Sequence, residues 1–166
     1  ACGDSFTAYT NAQFDSGKYN GMYKTYPRLI ALRNGMDLYS TFFASGRTLA
    51  YPSDGTFHNS LTDPDATCYY QNIPEDTDYI TIMLGINDCH HSNGTSGSDG
   101  EDTTGIIPIG TISDTTTATY YGAWNVVLLW LMENRPFAHI GILVSNGCDY
   151  EEYRTAQIAI ANKYGI

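Results

Sequence analysis

Ser5 stands five residues into the chain, within the run ACGDSFTA. A serine hydroxyl is a weak nucleophile until a base takes its proton, and acyl transfer also needs hydrogen-bond donors where the oxyanion develops. A serine in the turn between a strand and a helix exposes its oxygen, and its own backbone N–H can face the carbonyl oxygen under attack. Gly46, in ASG at 44–46, lets a second backbone N–H come close because no side chain blocks approach. Asn87, in LGIND at 84–88, offers a third donor through its side-chain amide. Ser5, Gly46 and Asn87 are therefore the catalytic candidates, a nucleophile and its oxyanion hole. Asp4 and Asp88 read as acceptors that fix loops rather than as acids or bases, and Gly3 and Gly85 as turn residues.

A base is harder to find. His90 and His91 directly follow the Asn87 loop and fall near the same strand end, whereas His58 lies in an irregular stretch and His139 opens a strand far from them. The run Asp88-Cys89-His90-His91 also invites a metal reading, but adjacent histidines do not easily point at one ion and no second cluster is spaced to complete a site. Loop or rim positions suit both histidines better. Asp99, Glu101 and Asp102 resemble part of a calcium loop without the full pattern, so a solvated polar loop is the reading for 93–105. No metal and no cofactor is expected.

These residues need elements to hold them. The spacing of Tyr26, Leu29, Ile30 and Arg33 predicts a helix that stops at Gly35, and 36–46 reads as a strand ending in a glycine turn. Residues 51–77 are rich in Pro, Asp, Ser and Thr and predict an irregular connection with a short helix near Leu61. The apolar run YITIMLG at 79–85 predicts a parallel strand buried on both faces, and IIPIGTISD a small hairpin off the main sheet. Tyr121, Trp124, Val127, Leu128 and Leu131 form one helical stripe ending before Pro136; a second buried strand is predicted over 138–147. The last segment is an amphipathic helix with Asp149 as N-cap and Gly165 as stop. Strands alternating with helices imply one α/β domain over 1–166 with a mainly parallel sheet, whose functional residues gather at the carboxyl ends of the strands.

Composition limits the partners. Eight Lys plus Arg against 18 Asp plus Glu give a net charge of −10, which repels nucleic acid and anionic membrane surfaces. No apolar run reaches the length of a membrane span, and no secretory leader is evident at the start, so Ala1 reads as a processing or domain boundary. Low charge with many Tyr, Thr, Asn and Gly leans toward an extracellular or cell-surface setting. The four cysteines, Cys2, Cys68, Cys89 and Cys148, lack paired zinc spacing; three disulfide pairings and free thiols all stay open.

The order of GDSFTA, ASG and LGIND resembles the SGNH hydrolases, the GDSL-type esterases and lipases, and the resemblance extends over nearly the whole chain. It implies a flavodoxin-like three-layer α/β/α sandwich, with Ser5 as nucleophile and the N–H groups of Ser5 and Gly46 plus the Asn87 amide as oxyanion hole. The final family block, a DxxH motif supplying the base and its orienting acid, has no counterpart at the C-terminal end, and the first strand is reduced to Ala1 and Cys2. The first and last strands thus read as truncated and the domain as incomplete at both ends. The activity implied is serine hydrolysis of an O-acyl ester, with an O-acetylated carbohydrate favoured as substrate and Tyr9, Tyr51, Tyr69 and Tyr70 suited to sugar contacts. The alternative is a catalytically inactive binding or structural module. A second polypeptide piece or a symmetry mate, adding a strand beside the last helix face of Ile158, Ile160 and Tyr164, would complete the sheet.

Overall fold

The computed structural model describes residues 1–8, 17, 25–51, 60–89, 107–144 and 151–166, with Ser5 and Phe6 as backbone alone. In chain order the elements are β1 (Cys2–Gly3), α1 (Ser5–Ala8), α2 (Tyr26–Asn34), β2 (Tyr79–Met83), α3 (Ile86–Cys89), α4 (Tyr120–Asn134), β3 (His139–Ile142) and α5 (Glu151–Tyr164).

The sheet is parallel, in the order β1-β2-β3. Cys2 lies opposite Ile82 and Gly3 opposite Met83, while β2 meets β3 from Tyr79 opposite His139 to Ile82 opposite Ile142. Beyond β1 the predicted strand over 36–46 is reduced to one parallel bridge, Gly3 with Phe43. It is closed by Gly3 N–H to the Phe42 carbonyl and Ala44 N–H to the Gly3 carbonyl, both 3.1 Å. The spatial order is therefore the 42–44 segment, β1, β2, β3. The chain leaves β1 to one side and comes back on the other, so a topological switch point falls between β1 and β2, where open α/β sheets form a crevice outside the strands' carboxyl ends.

Helices cover both faces. Tyr26 of α2 meets the Thr81 hydroxyl at 3.4 Å, which puts α2 on the Thr81 face. Ile80 and Ile82 point the other way, into a core shared with Trp124, Val127, Leu128 and Leu131 of α4. Tyr120 of α4 and Tyr153 of α5 pack ring to ring at 5.0 Å, and Ala156 and Ile160 complete the α5 face.

Local chemistry explains the helix limits. Pro27 occupies the first turn of α2, where a missing N–H costs nothing, and Gly35 ends it at φ 64°. Its buried positions are Pro27 and Ala31, so the inward face is offset from the predicted Leu29 and Ile30. Thr119 caps α4 by accepting the Gly122 N–H at 3.2 Å. The predicted stripe holds for Trp124, Val127, Leu128 and Leu131. Gly165 follows α5 at φ 71°; the expected Asp149 cap falls outside the described residues.

Other expectations change. No hairpin forms over 107–114, the described part of the segment expected to hold one. The Pro108 and Ile109 carbonyls instead accept the Tyr120 and Tyr121 N–H groups, and Asp114 takes the Thr111 hydroxyl at 2.5 Å, so this stretch caps α4. The short helix expected near Leu61 does not form there, where the chain runs through turns; a 3-10 turn lies further on, at Tyr70–Asn72. β2 alternates buried and partly buried positions rather than being buried on both faces, and β3, at the edge of the described sheet, is half-exposed. Ile160 is fully buried while Ile158 is exposed, so the last helix does not leave one common apolar face bare.

Candidate active site

The three candidates fall at the carboxyl ends of adjacent strands. Ser5 opens α1 directly after β1, held there by the Asp4 carbonyl accepting the Thr7 and Ala8 N–H groups at 3.1 and 2.9 Å. Gly46 turns the chain just beyond the bridged Phe43, at φ 75°, a left-handed conformation that favours glycine. Asn87 lies on α3, four residues past Met83, the partner of Gly3. The Ser5 side chain lies outside the described part of the structure.

Two neighbouring side chains on α3 join it to the segment after Gly46. The Asn87 side chain donates from Nδ2 to the Arg47 carbonyl at 2.9 Å; its second amide hydrogen is geometrically distinct and can serve another acceptor. The fully buried Asp88 accepts the Leu49 N–H on both carboxyl oxygens, at 3.1 and 3.0 Å, and the Ala50 N–H on Oδ1 at 3.0 Å. The expected acceptor role of Asp88 therefore has definite partners. Burial pushes its carboxyl up to about 7, against the pull of the Ala50 and Leu49 N–H groups, and Asp4 adds a further upward push.

Gly85 joins β2 to α3 at φ 141°. Beside it the Leu84 carbonyl accepts the Tyr120 hydroxyl at 2.9 Å and the Gln157 side chain at 2.6 Å. These bonds tie the start of the Asn87 turn to both α4 and α5. Neither Tyr120 nor Gln157 carries a motif signal in sequence; each sits on a helix whose periodicity announces only packing.

The base is not among these groups. His139 starts β3 at the opposite end of the sheet, exposed and stacked on Tyr79 with ring centres 5.1 Å apart. His58, His90 and His91 lie outside the described residues. Asp88-Cys89-His90-His91 does spell Asp-x-x-His, a reading that inspection of the C-terminal end alone misses. The Asp88 carboxyl accepts from the Leu49 and Ala50 backbone.

Among the described residues, no group of three or more His, Cys, Asp or Glu could hold a metal ion, and no helix is long and apolar enough to cross a membrane. Cys2 and Cys68 are buried free thiols, with burial pushing Cys2 up to about 11, and Cys89 is disulfide-bonded. Tyr70 is buried against Tyr69 and Trp130, so it belongs to the core and not to a sugar platform. A cavity of about 440 Å³ opens beside α2, lined by Ala1, Cys2, Tyr26, Ile30, Tyr39 and Thr81 among others. It sits at the amino ends of β1 and β2, away from Ser5 and Asn87.

No protein-family model matches the chain, and no curated protein does. Solved structures do. A provisionally named GDSL-like lipase from Bacteroides uniformis ATCC 8492 superposes with a TM-score of 0.66 at 18% identity, over 99% of this chain and 78% of its own. A second such protein, from Bacteroides ovatus ATCC 8483, gives 0.63 at 21%, over 99% and 79%. A Lactobacillus plantarum protein gives 0.62 at 23%, over 99% and 72%. The chain has a GDSL-like fold. It is the flavodoxin-like α/β arrangement implied by the resemblance of the three motifs, and identities at this level establish the fold alone.

Proposed function

We propose that this domain is a serine hydrolase of O-acyl esters. One observation carries the reading: Ser5, Gly46 and Asn87 occupy the carboxyl ends of adjacent strands around the switch point, with Asn87 bonded directly to the segment that follows Gly46. In this reading the Ser5 hydroxyl attacks the ester carbonyl while a base takes its proton. The carbonyl oxygen gains negative charge and is met by the Ser5 and Gly46 N–H groups and the free Asn87 amide hydrogen. Collapse of the tetrahedral species releases the alcohol and leaves an acyl-serine for water to hydrolyse. The GDSL-like names of the Bacteroides neighbours are consistent with ester hydrolysis.

The substrate class we favour is an O-acetylated carbohydrate. Tyr51, partly exposed, follows directly on the segment held by Asp88 and is the sugar-facing candidate among the tyrosines; Tyr70 is excluded by its burial. The rival reading is a binding module on the same fold. His139, the sole histidine among the described residues, lies at the other end of the sheet from Ser5 and so is not its base.

A fluorophosphonate probe separates the two, because it bonds only to an activated hydroxyl. Labelling mapped to Ser5 by peptide mass spectrometry and abolished by Ser5→Ala supports the hydrolase. A folded chain whose Ser5 stays unmodified, and which releases no acetate from acetylated xylan, is the binding module.

A further inference from the structure

We infer that Asp88 is a positioning residue of this site, setting the Gly46 turn against Asn87 through the backbone of Leu49 and Ala50. The inference rests on the ester-hydrolase reading above and adds to it how the oxyanion donors keep their spacing. Gly46 is the freest point of its segment: it has a positive φ, and a side chain placed there would meet nothing within 4 Å. The turn is closed locally by the Arg47 N–H on the Ala44 carbonyl at 3.4 Å and tied to β1 by the Ala44 N–H on the Gly3 carbonyl at 3.1 Å. A further constraint comes from downstream, where Leu49 and Ala50 are fully buried and give their N–H groups to one carboxyl. That carboxyl is adjacent in sequence to Asn87, whose amide grips Arg47, the residue between Gly46 and this anchor. Four hydrogen-bond contacts from one four-residue helical turn thus form a bracket on the chain just after Gly46, at Arg47 and at Leu49–Ala50. A donor displaced by about 1 Å can cost up to about 100-fold in rate, so this bracket bears on catalysis without touching substrate.

The test uses Asp88→Asn, Asp88→Ala and the volume-matched Asp88→Leu. Asparagine keeps Oδ1, which already accepts both N–H groups; alanine and leucine remove the acceptor. Saturation kinetics of fluorophosphonate labelling at Ser5 should show the maximal rate falling about 10- to 100-fold in Asp88→Ala or Asp88→Leu. Probe affinity should change by less than about 3-fold. Asp88→Asn should recover most of the rate. In an Asn87→Ala background, where one end of the bracket is already gone, the effect of Asp88→Ala should shrink, which a merely structural role would not produce.

The amide spectrum gives a second reading that needs no catalysis. The Gly46 N–H signal should move in Asp88→Ala or Asp88→Leu and return in Asp88→Asn. In the wild type it should follow titration of the Asp88 carboxyl carbon, observed separately from Asp4; Tyr120, the other titratable group facing Asp88 among the described residues, stays neutral over that range because burial raises it. An unmoved Gly46 signal, or rates that add simply across the two positions, overturns the inference. If wild-type Ser5 is not labelled while Gly46 tracks Asp88, the hydrolase reading fails and the mechanical coupling stands.

Discussion

Gly85→Ala should be far more damaging than Gly46→Ala, although both glycines have positive φ. At Gly46 (φ 75°) an added methyl meets nothing within 4 Å, so the cost is the backbone alone, about 1–2 kcal/mol for a left-handed alanine. At Gly85 (φ 141°) the methyl carbon would sit 2.4 Å from the Tyr120 hydroxyl oxygen and 3.0 Å from Gln157 Nε2. The backbone strain there is about 1–3 kcal/mol. Moving Tyr120 also disturbs its bond to the buried Leu84 carbonyl, adding about 1–2 kcal/mol. The total is about 2–5 kcal/mol, which for a domain of this size lowers the melting temperature by roughly 4–20 °C. Urea unfolding of the wild type and both variants measures the difference. Tyr120→Phe provides the internal control. It removes the oxygen that the methyl strikes and leaves Gln157 on Leu84, so Gly85→Ala should cost about 1–2 kcal/mol less in that background. A Gly85→Ala variant no weaker than Gly46→Ala, or one unrelieved by Tyr120→Phe, would refute the packing argument at the base of the Asn87 turn.

Asn87→Ala should reduce fluorophosphonate labelling of Ser5 by about 100- to 1,000-fold, as loss of an oxyanion donor does. Its stability should fall by only about 1 kcal/mol, the Arg47 carbonyl losing one bond; equal losses of fold and rate would argue against a donor role. The Asp88 carboxyl sits higher in the folded protein, at about 7, than its ordinary 3.8. The folded state thus holds this proton more tightly, and between about pH 4 and 7 the wild type should lose stability relative to Asp88→Asn as pH rises, then level off. Melting curves of both proteins across that range test the sign, and a gap moving the other way shows that the carboxylate form is the better bonded one. Cys2 and Cys68, buried and with raised thiol values, should not react with a disulfide reagent until denaturant is added; rapid native labelling of Cys68 would show that its surroundings open.

The helices were legible because their signals are local. Gly35 marks the end of α2, and the 3.6-residue stripe from Trp124 to Leu131 needs no knowledge of what lies opposite. The errors fall where a neighbour decides the outcome. Residues 36–46 have a strand's composition, but only Phe43 finds β1 within reach. Residues 107–114 look like a hairpin until the free N–H groups of α4 claim the Pro108 and Ile109 carbonyls. β3 reads as doubly buried because its apolar residues cannot report that it lies at the edge of the described sheet.

The same distinction separates the parts of the candidate site. Ser5, Gly46 and Asn87 are visible in sequence because each chemistry demands a particular residue type: a hydroxyl, a residue without Cβ, an amide. The groups that hold them are acceptors and packing partners that many residues supply: Asp88 is legible as a loop-fixing acceptor but not its partners, and Tyr120 and Gln157 emerge only from the structure. Each acts on backbone rather than on a motif side chain: Asp88 on the Leu49 and Ala50 N–H groups, Tyr120 and Gln157 on the Leu84 carbonyl. Leu84 and Asp88 flank the Gly85–Asn87 turn. The turn is therefore fixed from both sides by buried hydrogen bonds, each costly to leave unmade. An amide held this way meets a developing charge without reorganising, the property on which oxyanion stabilisation depends.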